Sequence, residues 1–266
     1  MSPEGKRVAF EMDGNIGIYD LGGASATRRI TFAGQNRAPL WSADGERVAF
    51  QSDREGDAAI WWQRADGTGS AERLTKPEQG TSHLPESWLP KGDRFSFSVT
   101  KGSTVSLWVF SVPDRKATAF DNVSSTSAIL TKSAFSPDGK WVAYASASEG
   151  GLFVQPFPPT GAKYQVSTSG GSPVWAPNGR ELFYVRAAGQ FAVVSVTTQP
   201  AFGVGNPVPV PTQFTLPGPT SPRAYDMSPD GRFIGVPFGT ESGTAASQIQ
   251  VVLNWSEELK QRVPTR

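Results

Sequence analysis

Apolar and polar residues alternate along most of this chain in short runs of period two, separated by turns rich in Gly, Asp and Pro. Over residues 47–52, Val48 and Phe50 alternate with Arg47, Ala49 and Gln51, the pattern of a strand half buried between sheets. Residues 37–41 form a shorter strand that runs into the turn Ser42-Ala43-Asp44-Gly45-Glu46. A polar hairpin begins at Asp53, a third strand carries Ile60, Trp61 and Trp62, and residues 72–75 supply an outer strand. Four antiparallel strands in about 40 residues make one propeller blade. Equivalent third strands are predicted at 15–19, 105–110, 151–155, 191–196 and 248–253.

One phrase recurs six times: an aromatic or Met, a small residue, an Asp-Gly-like turn and an alternating strand. It reads SPEGKRVAF from Ser2, WSADGERVAF from Trp41, WLPKGDRFSF from Trp88, FSPDGKWVAY from Phe135, WAPNGRELFY from Trp175 and MSPDGRFIGV from Met227. The turn glycines Gly5, Gly45, Gly92, Gly139, Gly179 and Gly231 lie 40, 47, 47, 40 and 52 residues apart, a blade period. The reading is an all-β, six-bladed propeller forming a single domain over 1–266. Its blades span 1–34, 35–78, 79–122, 123–169, 170–214 and 215–256, with a tail at 257–266.

The recurring turn has a mechanical cause. Asp or Asn bonds the backbone two residues on, and Gly accepts a positive φ, so Asp44, Asp138, Asn178 and Asp230 are expected to reverse the chain rather than bind ligands. Trp41, Trp88, Phe135 and Trp175 are expected to wedge between blades, not to form a sugar platform. Blade three, with Pro90, Lys91 and Gly92 in its turn, is the least regular. Blade one opens at its turn without a first strand, and blade six runs out of strand after Leu253. A ring leaves no open edges when it closes, so residues preceding Met1 are expected in the native gene. Ser256, Glu257 and Glu258 favour a short helix after Trp255, stopped by Pro264.

Composition narrows the function. Lys and Arg number 25 against 24 Asp and Glu, a net charge of +1 that draws the chain neither to nucleic acid nor to an anionic membrane. There is no Cys, which excludes thiolate chemistry and Cys-based metal sites, and no apolar run approaches the roughly 20 residues of a membrane span. No G-x-S-x-G elbow or Walker A loop occurs. The single histidine, His83, is read as a solvated group in the loop entering blade three. No catalytic residue, cofactor or metal site is expected. Asp53, Glu55 and Asp57 alternate in one hairpin and could offer oxygens to calcium, but their spacing departs from an EF-hand.

The loops feeding the innermost strands and the hairpins joining second to third strands share one face, around the channel mouth. That rim carries Arg37, His83, Glu86, Lys132, Ser172 and Arg223. Three basic residues from three blades suit a carboxylate, a phosphate or an acidic peptide; the alternative is that all six are solvated strand ends.

The phrases WSADGERVAFQSDREGDAAIWW and ERLT resemble the TolB-like, or PD40 (WD40-like), propeller repeat of bacterial proteins, and the resemblance covers the whole chain. No Trp-Asp dipeptide ends a strand, unlike eukaryotic WD40 blades. From Leu152, LFVQPFPPTGAKYQVSTSGGSPVWAPNGRELFYV, with YDMSPDGRFIG from Tyr225 and IQVVLNWSEELK from Ile249, is similar to the propeller behind bacterial serine/threonine kinase domains. That resemblance implies a sensor or protein-binding module, with a protein or peptide partner and a periplasmic or extracytoplasmic location. Kinase chemistry does not carry over, because the Gly-rich loop, His-Arg-Asp and Asp-Phe-Gly are missing. Two other readings remain: a free-standing TolB-like envelope protein, and an accessory propeller of a prolyl-peptidase-type hydrolase.

Overall fold

A computed structural model describes residues 1–23, 27–125 and 132–235, and the backbone of 250–251. Its strands form six antiparallel sheets in chain order. The first contains β1 (Arg7–Met12), β2 (Asn15–Asp20) and β3 (Arg28–Arg29). The second contains β4 (Asn36–Trp41), β5 (Arg47–Ser52), β6 (Ala59–Arg64) and β7 (Glu72–Arg73). The third contains β8 (Thr81–Trp88), β9 (Arg94–Lys101), β10 (Thr104–Ser111) and β11 (Lys116–Ser125). The fourth contains β12 (Ala134–Phe135), β13 (Trp141–Ser146), β14 (Gly151–Pro156) and β15 (Tyr164–Ser167). The fifth contains β16 (Gly171–Trp175), β17 (Glu181–Ala187) and β18 (Gln190–Thr197), whose outer edge pairs with both β19 (Gly203–Val204) and β20 (Val208–Val210). The sixth contains β21 (Tyr225–Met227), β22 (Phe233–Gly235) and β23 (Gln250–Val251).

This is the all-β architecture of successive antiparallel sheets expected from the repeat, and nothing in it conflicts with one sheet per repeat. No helix occurs among the described residues, and the helix expected after Trp255 lies outside them. The predicted third strands are all present, β23 being described at two residues. Blade three keeps its expected irregularity in the turn and in register slips between Pro85 and Ser87 and between Ser106 and Trp108, while β8, β9, β10 and β11 are long among the described strands.

The turns that open with Ser42, Ser136 and Ser228 are built by their own side chains. Ser42 Oγ donates to Asp44 Oδ1 at 2.5 Å, the Glu46 amide donates to the same carboxylate oxygen at 2.9 Å, and the Arg47 amide donates to Ser42 Oγ at 3.0 Å. Gly45, at φ +70°, sends its amide back to the Ser42 carbonyl. Ser136 with Asp138 and Ser228 with Asp230 repeat this arrangement. In blade three Leu89 replaces the serine, and the turn still closes through backbone bonds from Gly92 to Leu89 and from Leu89 to Arg94.

In blades two to five the aromatic before the turn fills the wedge between neighbouring blades. Trp41 packs with Ile16 and Ile18 of blade one, Trp88 with Ala49, Ile60 and Leu74 of blade two, and Phe135 with Leu107, Val109 and Phe120 of blade three. Trp175 packs with Leu152 and Val154 of blade four, and its indole N–H donates to the Ala134 carbonyl at 3.1 Å. The first and last turns also meet: a Cβ added to Gly5 would lie 3.0 Å from Pro229.

Replacing Trp175 with Ala should therefore cost about 3–5 kcal/mol, the range for emptying a buried aromatic site. The shift of the denaturant midpoint measures it; a loss below about 1 kcal/mol would contradict a load-carrying wedge.

Candidate functional site

The innermost strands do not run straight. Pairing between first and second strands slips between Arg37 and Leu40, between Pro85 and Ser87, and between Gly171 and Val174. Ala38, Lys132 and Ser172 adopt φ of 53°, 45° and 55°, and each stands three residues before its blade's wedge aromatic. A left-handed residue inside a bulge re-aims the backbone and is costly for any residue but Gly. Its recurrence at one repeat position gives the channel wall a built-in corner in three blades.

Carboxylates satisfy two of these corners. The Ala38 amide donates to Glu11 Oε1 at 2.6 Å, from blade one. The Lys132 and Ser133 amides donate to Glu86 of blade three at 2.8 and 2.7 Å, and the Ser133 and Ser98 hydroxyls donate to it as well. In both cases a glutamate from an earlier blade in the chain takes the amide of the left-handed residue. Sequence reading missed this device, because Ala, Lys and Ser carry no left-handed signature, and Pro39 and Pro173 argue for extended backbone before them.

Of the six predicted rim residues, four belong to one connected group. Lys132 is only 8% exposed; its ammonium donates to the Pro219 carbonyl at 2.8 Å and to that of Ser221. Burial lowers its pKa to about 8, against the attraction of Glu86 and with the repulsion of Arg223. Lys132 is thus spent on the loop between blades five and six, which lies so close on β16 that a Cβ at Gly171 would stand 2.6 Å from the Pro219 oxygen. The Ser172 carbonyl accepts the Tyr225 hydroxyl, whose pKa is raised by burial. Arg223 remains exposed, with Nη1 3.5 Å from the Pro173 carbonyl.

The other two residues form a separate relay. Arg37 is exposed and donates from Nε to Gln51 Oε1, while Gln51 Nε2 donates to the His83 carbonyl at 2.6 Å. His83 corrects the sequence reading: it lies within β8, is 8% exposed, and sets its ring against Phe97 at 5.1 Å. The chain turns it inward because its amide bonds the Ala58 carbonyl of blade two, seating the ring between blades. Burial lowers its pKa to about 4, Asp57 opposing and Arg73 adding to the shift, so the imidazole is neutral at pH 7. The acidic hairpin is also engaged: Arg73 pairs with Glu55 at 2.6 Å and with Asp57, and Asp53 accepts the Gln35 amide at 2.7 Å. Among the described residues no cluster of His, Asp and Glu is placed to hold a metal ion.

Two predictions follow from the buried bases. His83 binds a proton more readily unfolded, at pH 6.5, than folded, at about 4, so its contribution to stability is lost as pH falls through that window. The loss is on the order of 3 kcal/mol, from 1.36 kcal/mol per pH unit. His83→Phe should flatten that stretch of the stability profile; an unchanged slope would contradict the burial. Lys132→Met removes a buried charge and should leave the melting temperature at pH 7 unchanged or higher, while amide exchange across residues 217–223 quickens. Unaltered exchange there would show that the ammonium does not hold the loop.

No family profile matches the chain. It is 31% identical over 131 residues to the uncharacterized peptidase YuxL of Bacillus subtilis (strain 168), covering 46% of this chain and 19% of that protein. It is 35% identical over 100 residues to the uncharacterized protein Atu1656 of Agrobacterium fabrum (strain C58 / ATCC 33970), covering 36% of this chain and 33% of that one. The chain therefore matches no more than a third of the length of either relative. Among solved structures it is similar to the putative TolB from Agrobacterium tumefaciens, with TM-score 0.69 and 19% identity over 86% of this chain and 84% of that one. TolB from Acinetobacter baumannii gives TM-score 0.68 and 17% identity over 90% and 59%. A chain of the nidogen/laminin complex gives 0.63 and 11% over 88% and 86%. At these identities the likeness establishes the architecture: the chain has the fold of a TolB-like β-propeller.

Proposed function

We propose that this propeller is a non-catalytic binding module that takes an acidic segment of a protein partner at its channel mouth. The observation that carries the reading is the placement of Arg37 and Arg223. Both are exposed, and both stand four residues before the wedge position of their blades, Trp41 and Met227. They therefore occupy one repeat position on blades two and six, the two blades that flank blade one. Exposed guanidiniums so placed offer bidentate donors to carboxylates, whereas Lys132 is spent on the Pro219 and Ser221 carbonyls. A catalytic role for the sole histidine is disfavoured by its burial and its pKa of about 4.

The binding reading fits a sensor propeller linked to a bacterial kinase, which the second half of the sequence resembles. It fits equally a free-standing envelope protein, supported by the likeness to two TolB structures. The 31% identity to an uncharacterized peptidase supports a further reading, an accessory propeller attached to a hydrolase.

A fluorescein-labelled deca-glutamate peptide tests the site by anisotropy. The protein should bind it with an affinity that falls as salt rises, and Arg37→Ala with Arg223→Ala should weaken it at least about tenfold, or 1.4 kcal/mol. The melting temperature should stay unchanged, because both side chains are exposed. Equal binding by the double variant would sink the proposal.

A further inference from the structure

Three large hydrophobic residues are prominently exposed among the described residues: Met12, Phe32 and Val208. Two of them, Phe32 at 74% and Met12 at 37%, sit on adjoining loops of the channel-mouth face. Met12 ends β1 at the hairpin of blade one, and Phe32 lies in the connection that leads into β4 and Arg37.

These loops are locked together. Asn36 is buried, and its side-chain amide donates to the carbonyls of Gly14, Ala33 and Gly34 at 3.1, 3.1 and 2.9 Å. Its backbone amide donates to Gly14 as well, at 2.8 Å. On the other side of Phe32, Ile30 is buried in the core and Thr31 Oγ1 accepts the Ile16 amide at 2.8 Å. Gly34, at φ +69°, leaves no room for a side chain, since a Cβ would lie 2.8 Å from the Arg54 nitrogen. Phe32 is thus held from both ends while its ring faces solvent. An apolar ring that is fixed and unburied costs little further order when a partner covers it.

Charge around the ring indicates what would cover it. The Arg29 guanidinium lies 5.1 Å from the Phe32 centroid, held by the Thr31 carbonyl and Asn15 Oδ1 at 2.6 and 2.8 Å. Arg37 follows five residues on. Of the nearby carboxylates, Glu11 accepts the Ala38 amide and Asp53 the Gln35 amide, while Asp13 is exposed next to Met12 in sequence. The surface is therefore an apolar ring with one guanidinium packed against it, five residues along the chain from Arg37.

We propose that Phe32 receives an apolar side chain of the acidic partner segment, so that the partner is an acidic peptide carrying a hydrophobic anchor rather than a purely charged chain. This rests on the acidic-segment reading above. The test compares the labelled deca-glutamate with the same peptide carrying Leu at its two central positions. The protein should bind the Leu peptide at least about tenfold more tightly, and Phe32→Ser should abolish that advantage while leaving deca-glutamate binding and thermal unfolding unchanged. If deca-glutamate binds but Leu brings no gain, or if Phe32→Ser keeps the gain, the anchor is refuted and the acidic site stands. If neither peptide binds, both proposals fall.

Discussion

A blade of this protein is a small sheet with two apolar faces, and neither can be buried within the blade itself. Burial comes only from the next blade, and the ring that the blades build leaves a wedge at each junction. In blades two to five the aromatic before the turn fills it, as Trp41 does against Ile16 and Ile18 and Trp175 against Leu152 and Val154. Hydrophobic stabilisation is thus shared between blades, and each wedge residue stabilises two sheets at once. The Ser-x-Asp-Gly turns serve the same end, since their internal hydrogen bonds set where each aromatic enters its junction.

That constraint leaves the channel wall as the place where departures from regular pairing are tolerated. Ala38, Lys132 and Ser172 adopt left-handed backbone there, Ala38 and Ser172 within bulges, and Glu11 and Glu86 accept the amides of Ala38 and Lys132. A buried carboxylate bound by amides and hydroxyls from a neighbouring blade is specific in geometry, and Glu86 ties the inner segments of blades three and four together. Lys132 extends the same connection to the loop at 219–221. His83, Glu86, Lys132 and Ser172 are consequently buried in the structure, and charge is left accessible at Arg37 and Arg223. The exposed Phe32, fixed by Asn36, adds an apolar point to that face.

Much of this was legible in the residues. The turns at Gly5, Gly45, Gly92, Gly139, Gly179 and Gly231 were readable at their positions, because an Asp-Gly-like turn is a local event that depends on its own backbone. The alternation over 47–52 located β5 to the residue, although the half-buried pattern it implied was not met: residues 48–52 are all buried, because neighbouring blades cover both faces of the strand. The role of Trp41 or Phe135 as a wedge was equally readable, since an aromatic at a fixed repeat position has the same neighbours in every blade.

What only the tertiary structure decided concerns polar groups whose partners come from distant parts of the chain. His83 looked like a solvated loop residue, yet the Ala58 carbonyl and Phe97 draw it between blades, and burial holds it neutral. Lys132 looked like a free cation, yet carbonyls 87 and 89 residues away claim its ammonium. Turn chemistry and strand period are short-range and are written locally. The fate of a charge depends on desolvation and on hydrogen bonds between blades, which exist only once the ring is assembled.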